Sequence, residues 1–363
     1  EEQWAYHQAR WDPSTLDREQ AYQERLADMR ERFTVAAEGG RSPIVHCEVP
    51  TNDYPRPLRY TPHPFETIKL LKAIAGLGAD KLSAWGRINP AELVPWDVNL
   101  AAMKAINADI DADPAQLVRR IAVDWVGEDY ADVLVQVWEK GDRAITRRPL
   151  WSHSFSGNHF ALPGPLVPDL GALQPAECAY YRTLAMDDLE QINGLGFFLP
   201  FEPEERVRGY VLNTLYRGET LRLFEEALAL LTAAIAQAPA PVAEVLRNQY
   251  DHIQVAYLWQ RSHANWYEAA HYLLPGEGSG DYRALPEIID DEIGVTEALI
   301  ALLAGRAECF LTVAHTDMLL ETPGPGFVDR LRQRIPIMRT HRNDPPQPLT
   351  ERLQKVLGYT KTL

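Results

Sequence analysis

Glu48 is the carboxylate best placed for chemistry. It closes a short β-prone run, Ile44-Val45-His46-Cys47-Glu48-Val49, which Pro50 stops. In parallel α/β folds, catalytic groups collect at the carboxyl ends of strands, because the loops that follow converge there. The loop that follows here, Pro50-Thr51-Asn52-Asp53-Tyr54-Pro55-Arg56, is polar and aromatic and long enough to line a cleft. A second β-prone run, Lys81-Leu82-Ser83-Ala84-Trp85, leads into Gly86-Arg87 and would lie beside the first. An indole, a guanidinium and carboxylates at neighbouring strand ends suit a hydroxyl-rich ligand: the ring packs against the apolar face of a sugar, and the charged groups bind its hydroxyls. Glu48 is the candidate catalytic carboxylate, with Asn52, Tyr54, Trp85 and Arg87 as candidate substrate contacts. The same residue types also suit a plainer arrangement, in which Glu48 pairs with Arg87 or Arg56 and Trp85 is core.

Three other places carry chemistry-bearing side chains. The run Trp151-Ser152-His153-Ser154-Phe155-Ser156-Gly157-Asn158-His159-Phe160 is aromatic for a connecting segment. It suits packing between domains or folding back over the site, which adds Trp151, His153 and His159 to the substrate-binding candidates. A metal held by His153 and His159 lacks a close acidic third ligand. On a long helical stretch His263, Tyr267 and His271 recur at every fourth position and share one face. Glu268 and His271 form one Glu-x-x-His element, whereas a di-iron bundle needs two, so a buried hydrogen-bond network or a docking face is expected there. Glu287, Asp290, Asp291 and Glu292 fall early in a helix, where negative charge is favoured, and read as a solvated face. A phosphate-binding loop, a strand-placed GxGxxG, a GxSxG elbow, an HExxH pair and an EF-hand loop are all lacking, so neither a cofactor nor a metal is expected.

The elements that must position these groups fall in two parts. In residues 1–149, a charged helix over 16–33, the strand at 44–49, a helix over 64–75 and the strand at 81–85 follow one another. Strand, helix and strand make a βαβ unit, which pairs strands in parallel. Helices then follow, one opening at Asp113-Pro114 and another over 130–145. Residues 150–175 form a connecting segment rich in Pro, Gly and His, and 176–363 form an all-helical domain. Within it, helices over about 203–235, 242–274 and 286–320, the last broken near Gly305, are separated by Pro/Gly turns in the manner of an antiparallel bundle. The fold class is therefore α/β followed by all-α: a partial (β/α) barrel-type unit plus a helical bundle.

The run from Ile44 to Pro50, the Pro62-His63-Pro64 helix start and the Leu82-Ser83-Ala84-Trp85-Gly86 strand resemble the late strands of TIM-barrel glycoside hydrolases. The helical stretch after Asn99 is similar to the helix that follows the barrel in relatives of the α-glucuronidases and hexosaminidases, where an all-helical domain often comes next. The resemblance implies a glycoside or uronic acid substrate and a catalytic or substrate-binding role for Glu48. Glycoside hydrolysis takes two carboxylates, one to protonate the leaving oxygen and one to attack or to activate water, and Asp53 is the nearby acid for the second role. A barrel needs eight strands and two are evident, so either earlier strands precede this stretch or the chain is not a barrel.

Composition narrows the alternatives. The 363 residues carry a net charge of −15, which repels phosphate, and no basic patch offsets it, so nucleic acid is not expected as a partner. Cys47, Cys178 and Cys309 are too sparse for a disulfide scaffold or a thiol-metal site. No apolar stretch approaches the length of a membrane span, and no secretory signal is present. The chain opens Glu-Glu-Gln-Trp without Met, which leaves room for an upstream segment and leaves cytoplasmic and exported locations both open. A carbohydrate-active enzyme thus competes with a non-catalytic helical binding or assembly module, and with a metal-dependent hydrolase using His46, His153 or His159. Expected partners are a carbohydrate substrate, with a second copy or an upstream barrel segment to complete the fold.

Overall fold

The computed structural model describes residues 18–41, 44–48, 58–78, 81–85, 89–147, 164–184, 216–273, 282–311 and 326–347. Helix α1 (Arg18–Glu38) is stopped by Gly39-Gly40, where Gly40 takes the left-handed backbone (φ 68°) that ends helices at little cost for glycine. Strand β1 (Ile44–Glu48) follows. Helix α2 (Pro64–Gly76) opens with proline in its first turn, where the missing N–H costs nothing. Strand β2 (Lys81–Trp85) then pairs with β1 in parallel, so the βαβ unit forms as its residue order dictates. Asp97 caps α3 (Val98–Ala108) by accepting the Leu100 N–H at 3.0 Å, and Asp113 caps α4 (Pro114–Val126) through the Gln116 N–H at 2.9 Å. Gly127 separates α4 from α5 (Glu128–Arg147). A 3₁₀ turn (Leu170–Ala172) precedes α6 (Pro175–Leu184), and a π turn (Tyr216–Leu221) leads into α7 (Arg222–Ile235). The remaining helices are α8 (Ala240–Leu273), α9 (Leu285–Leu303), the single turn α10 (Ala307–Phe310) and α11 (Phe327–His341).

The described residues are thus mostly helical. Their strands make one two-stranded sheet, and the barrel expected from the sequence is not seen among them. The break near Gly305 is real: Gly305 adopts φ 74° between α9 and α10. Helix α11 goes unmarked in the sequence, because Pro336 within it masks its pattern.

Two compact units divide the chain, and neither is continuous. The first comprises Glu1–Tyr54, Leu58–Ser152 and Leu223–Gln254; the second comprises Pro55–Pro57, His153–Arg222 and Val255–Leu363. In the first, Val45 of β1 is buried with Ile74 and Leu77, and Met29, Phe33 and Leu70 pack against them, so α1 and α2 cover the sheet. Leu117, Val118, Ile121 and Ala122 give α4 its buried stripe, and Trp125 meets Trp138 of α5 edge to face at 5.5 Å. In the second unit α9 buries Ile288, Ile289, Glu292, Ile293, Thr296 and Leu299 along one side and packs on α11.

Candidate functional site

Register sets the strand-end site. Ile44 pairs with Lys81 and each following residue with its counterpart, so Glu48 stands opposite Trp85 at the carboxyl end of the parallel pair. Adjacent strands lie about 4.8 Å apart, which makes these two residues immediate neighbours. Of the nine sequence candidates the structure brings these two together. Asn52, Asp53, Tyr54, Arg87, Trp151, His153 and His159 lie outside the described residues. Val45, earlier in β1, is buried between α1 and α2.

The first unit also holds a dense buried polar cluster. Gln249 of α8 is fully buried, and its Oε1 accepts hydrogen bonds from the Tyr60 hydroxyl at 3.1 Å and the Trp138 indole N–H at 3.0 Å. Its amide nitrogen donates to the Trp96 carbonyl at 2.9 Å. Tyr60 in turn accepts from the Val98 N–H at 3.3 Å, and the His252 ring meets it edge-on at 4.9 Å. Burial, helped by the Asp97 charge, raises the Tyr60 pKa well above its usual value, so this hydroxyl stays protonated. His63 also belongs to this unit: its Nδ1 is 2.7 Å from the Thr61 carbonyl and 3.2 Å from the Asn99 amide nitrogen. Burial brings the His63 pKa down to about 4 and leaves the ring neutral. Asp142 accepts the Phe65 and Glu66 N–H groups at 3.1 and 3.0 Å, capping α2 from α5, because His63 at the cap position offers no side-chain bond. Burial pushes both Asp97 and Asp142 upward, yet each is committed to a helix N-terminus and serves as scaffold.

In the second unit, charged side chains of α8, α9 and α11 interlock. Arg283 donates its Nε–H to Glu268 at 3.0 Å and Nη2–H to the same carboxylate at 2.7 Å, and it reaches Asp291 at 3.1 Å. Asp291 also pairs with Arg261. Burial would raise the Asp291 pKa, but the Arg261 and Arg283 guanidiniums outweigh it and hold the carboxyl below its ordinary range. Asn265 links the two depths, accepting from Arg283 at 2.9 Å and donating to Glu292 at 3.0 Å. Glu292, 0% exposed, also takes Ser262 at 2.6 Å and Arg334 at 2.7 Å; burial raises its pKa against the pull of Arg334. The expected solvated acidic face is therefore half wrong. Glu287 and Asp290 are exposed, but Asp291 and Glu292 turn inward, because the buried side of α9 runs through 288, 289, 292 and 293. The network expected around Glu268 is present, and the Glu268 carboxylate is occupied by Arg283. Among the described residues no group of three or more His, Cys, Asp or Glu side chains is arranged to hold a metal ion.

No protein-family model matches the chain, and no curated protein matches it. Among solved structures the fold is similar to that of a GH138 enzyme targeting pectin rhamnogalacturonan II, with a TM-score of 0.50 at 12% identity. The match covers 85% of this chain and 40% of that enzyme. The chain thus spans less than half of that enzyme's length, and at this identity the likeness is one of fold. Among the described residues no helix is long and apolar enough to cross a membrane.

Sequence reasoning misses Asp142, Arg283 and the partners of Gln249. Gln249 falls beside a polar helix face, but its partners Tyr60 and Trp138 lie 189 and 111 residues away, and no local pattern links them. Asp142 offers one usable signal: the α2 start lacks a capping Ser, Thr, Asp or Asn, so the cap has to come from elsewhere.

Proposed function

We propose that the chain is part of a carbohydrate-active enzyme, a glycoside hydrolase acting on a glycoside or uronic acid by carboxylate general acid/base chemistry. The observation that carries this reading is the placement of Glu48 opposite Trp85 at the carboxyl end of a parallel strand pair, in a fold like that of a GH138 enzyme. Trp85 supplies the ring on which a pyranose stacks, Glu48 works as acid or nucleophile, and Asp53, five residues on, is its partner carboxylate. Asn52, Tyr54 and Arg87 bind hydroxyl or carboxylate groups of the sugar, and Trp151, His153 and His159 are further candidate sugar contacts. On this reading β1 and β2 are neighbouring strands of a (β/α) barrel. Parallel sheets are covered on both faces and rarely stop at two strands, which supports further strands beside these.

The test is turnover of rhamnogalacturonan II oligosaccharides and of aryl uronides, by the chain as it stands and within the longest open reading frame that encodes it. Glu48→Gln is expected to lose at least about 100-fold in kcat, as for loss of a general acid, with thermal melting unchanged. Equal turnover by the variant and the parent removes the proposal.

The helical second unit favours one other reading, a non-catalytic binding or assembly module. It predicts no hydrolysis of any glycan in either length of chain, together with co-sedimentation with a second copy.

A further inference from the structure

We propose that His341 is a pH-operated clasp that fastens the end of α11 to the first turn of α6. The imidazole sits in the last turn of α11 and is buried, with both ring nitrogens facing carboxylates: Nδ1 is 2.7 Å from Asp344 Oδ2, and Nε2 is 3.0 Å from Glu177 Oε2. An ionised carboxylate only accepts hydrogen bonds. Both contacts are therefore satisfied at once by the doubly protonated ring, and a neutral ring must turn one lone pair toward an anion.

Glu177 makes the clasp more than a surface ion pair. The same Oε2 atom accepts the Gln174 N–H at 2.7 Å, which is half of a capping box at the start of α6, with Pro175 in the first turn. Losing the imidazolium thus leaves the carboxylate that caps α6 without its counter-charge. A backbone bond from the Gln347 N–H to the Pro168 carbonyl, at 3.0 Å, runs between the same two stretches of chain. Of the other charged groups, Arg334 and Arg339 on α11 and Arg342 just past its end pair with Glu292, Glu297 and Asp290 of α9. The Arg330 carbonyl accepts from the Tyr180 hydroxyl of α6 at 3.1 Å. The imidazolium therefore answers to Glu177 and Asp344. Burial draws its pKa down, but the hydrogen bonds and charges of Asp344 and Glu177 outweigh that, and the net direction is upward from 6.5.

The sign follows from linkage. With the folded-state value raised, the folded chain holds a proton that the unfolded chain releases, so the clasp contributes fully below the unfolded value and is lost as pH rises through the folded one. Side-chain NMR of His341 across a pH series reads the titration directly. The expected result is a midpoint above 6.5 with both nitrogens protonated below it, and a midpoint that moves down in Glu177→Gln and in Asp344→Asn. Amide exchange in the first turn of α6 is expected to speed up through the same midpoint, and the melting advantage of the parent over His341→Gln is expected to vanish there. A midpoint at or below 6.5 overturns the proposal, as does one unprotonated nitrogen at about pH 6. A melting gap to His341→Gln that stays constant across the range overturns it too. If His341→Gln fails to fold, the NMR midpoints of the parent and of Asp344→Asn decide the matter alone.

Discussion

His63 shows how an ordinary residue becomes sensitive through burial alone. The folded chain takes up its proton only near pH 4, whereas the unfolded chain takes it up at the usual 6.5. Stability is therefore lost as pH falls through that window, by roughly 3 kcal/mol once both states are protonated. Urea melts of the parent and of His63→Asn are expected to show a difference that narrows by about this amount between pH 6.5 and 4. A constant difference would mean that the ring is solvated. At this scale the sequence is readable where chemistry and spacing coincide. Glu48 and Trp85 fall at matching strand ends because two five-residue runs of β-prone side chains leave only one in-phase parallel pairing that ends both together. His263 and Tyr267 share a buried side of α8 because four residues advance the helix just past one full turn. His341, Glu177 and Asp344 are silent, since two of the three are separated by 164 residues.

Helix boundaries are legible wherever Pro, Gly or Asp punctuates the chain. Pro64 and Asp113-Pro114 mark starts that the structure reproduces to within a residue. What punctuation cannot reveal is how closely two elements approach. Gly141 lies within α5, where glycine costs helix stability, and its presence is explained by Pro62: a Cβ at 141 would stand 2.7 Å from the Pro62 carbonyl oxygen. That approach brings the adjacent Asp142 onto the exposed N–H groups of α2. Gly141→Ala is expected to destabilise the chain by about 1–3 kcal/mol despite alanine's better helix propensity, because the contact is backbone and cannot swing aside. Calorimetry checks this, and a raised melting temperature would show that α5 can shift away from Pro62.

The molecule as a whole is governed by where its charges go. A chain with fifteen excess negative charges still places Glu292 at zero exposure, and it does so by bringing Arg334 to 2.7 Å. Removing only the cation, as in Arg334→Met, leaves an uncompensated buried carboxylate and is expected to cost about 3–5 kcal/mol. The double variant Glu292→Gln/Arg334→Met is expected to recover more than half of that loss in urea melts, since breaking a buried pair costs more than replacing it. A loss in the double variant equal to the sum of the Glu292→Gln and Arg334→Met losses would show that the pair is not coupled. Composition alone could not foresee this arrangement, because the acidic cluster at 287–292 looks uniform until the 3.6-residue period divides it. The same holds for the chain's division. Residues 223–254 belong with the compact unit that ends its main stretch at Ser152, and the chain between them belongs to the other. A protease nick or gene truncation anywhere from 153 to 222 would therefore yield no self-sufficient half: the amino-terminal piece would be missing Gln249, and Tyr60 and Trp138 would be left as buried donors without their shared acceptor.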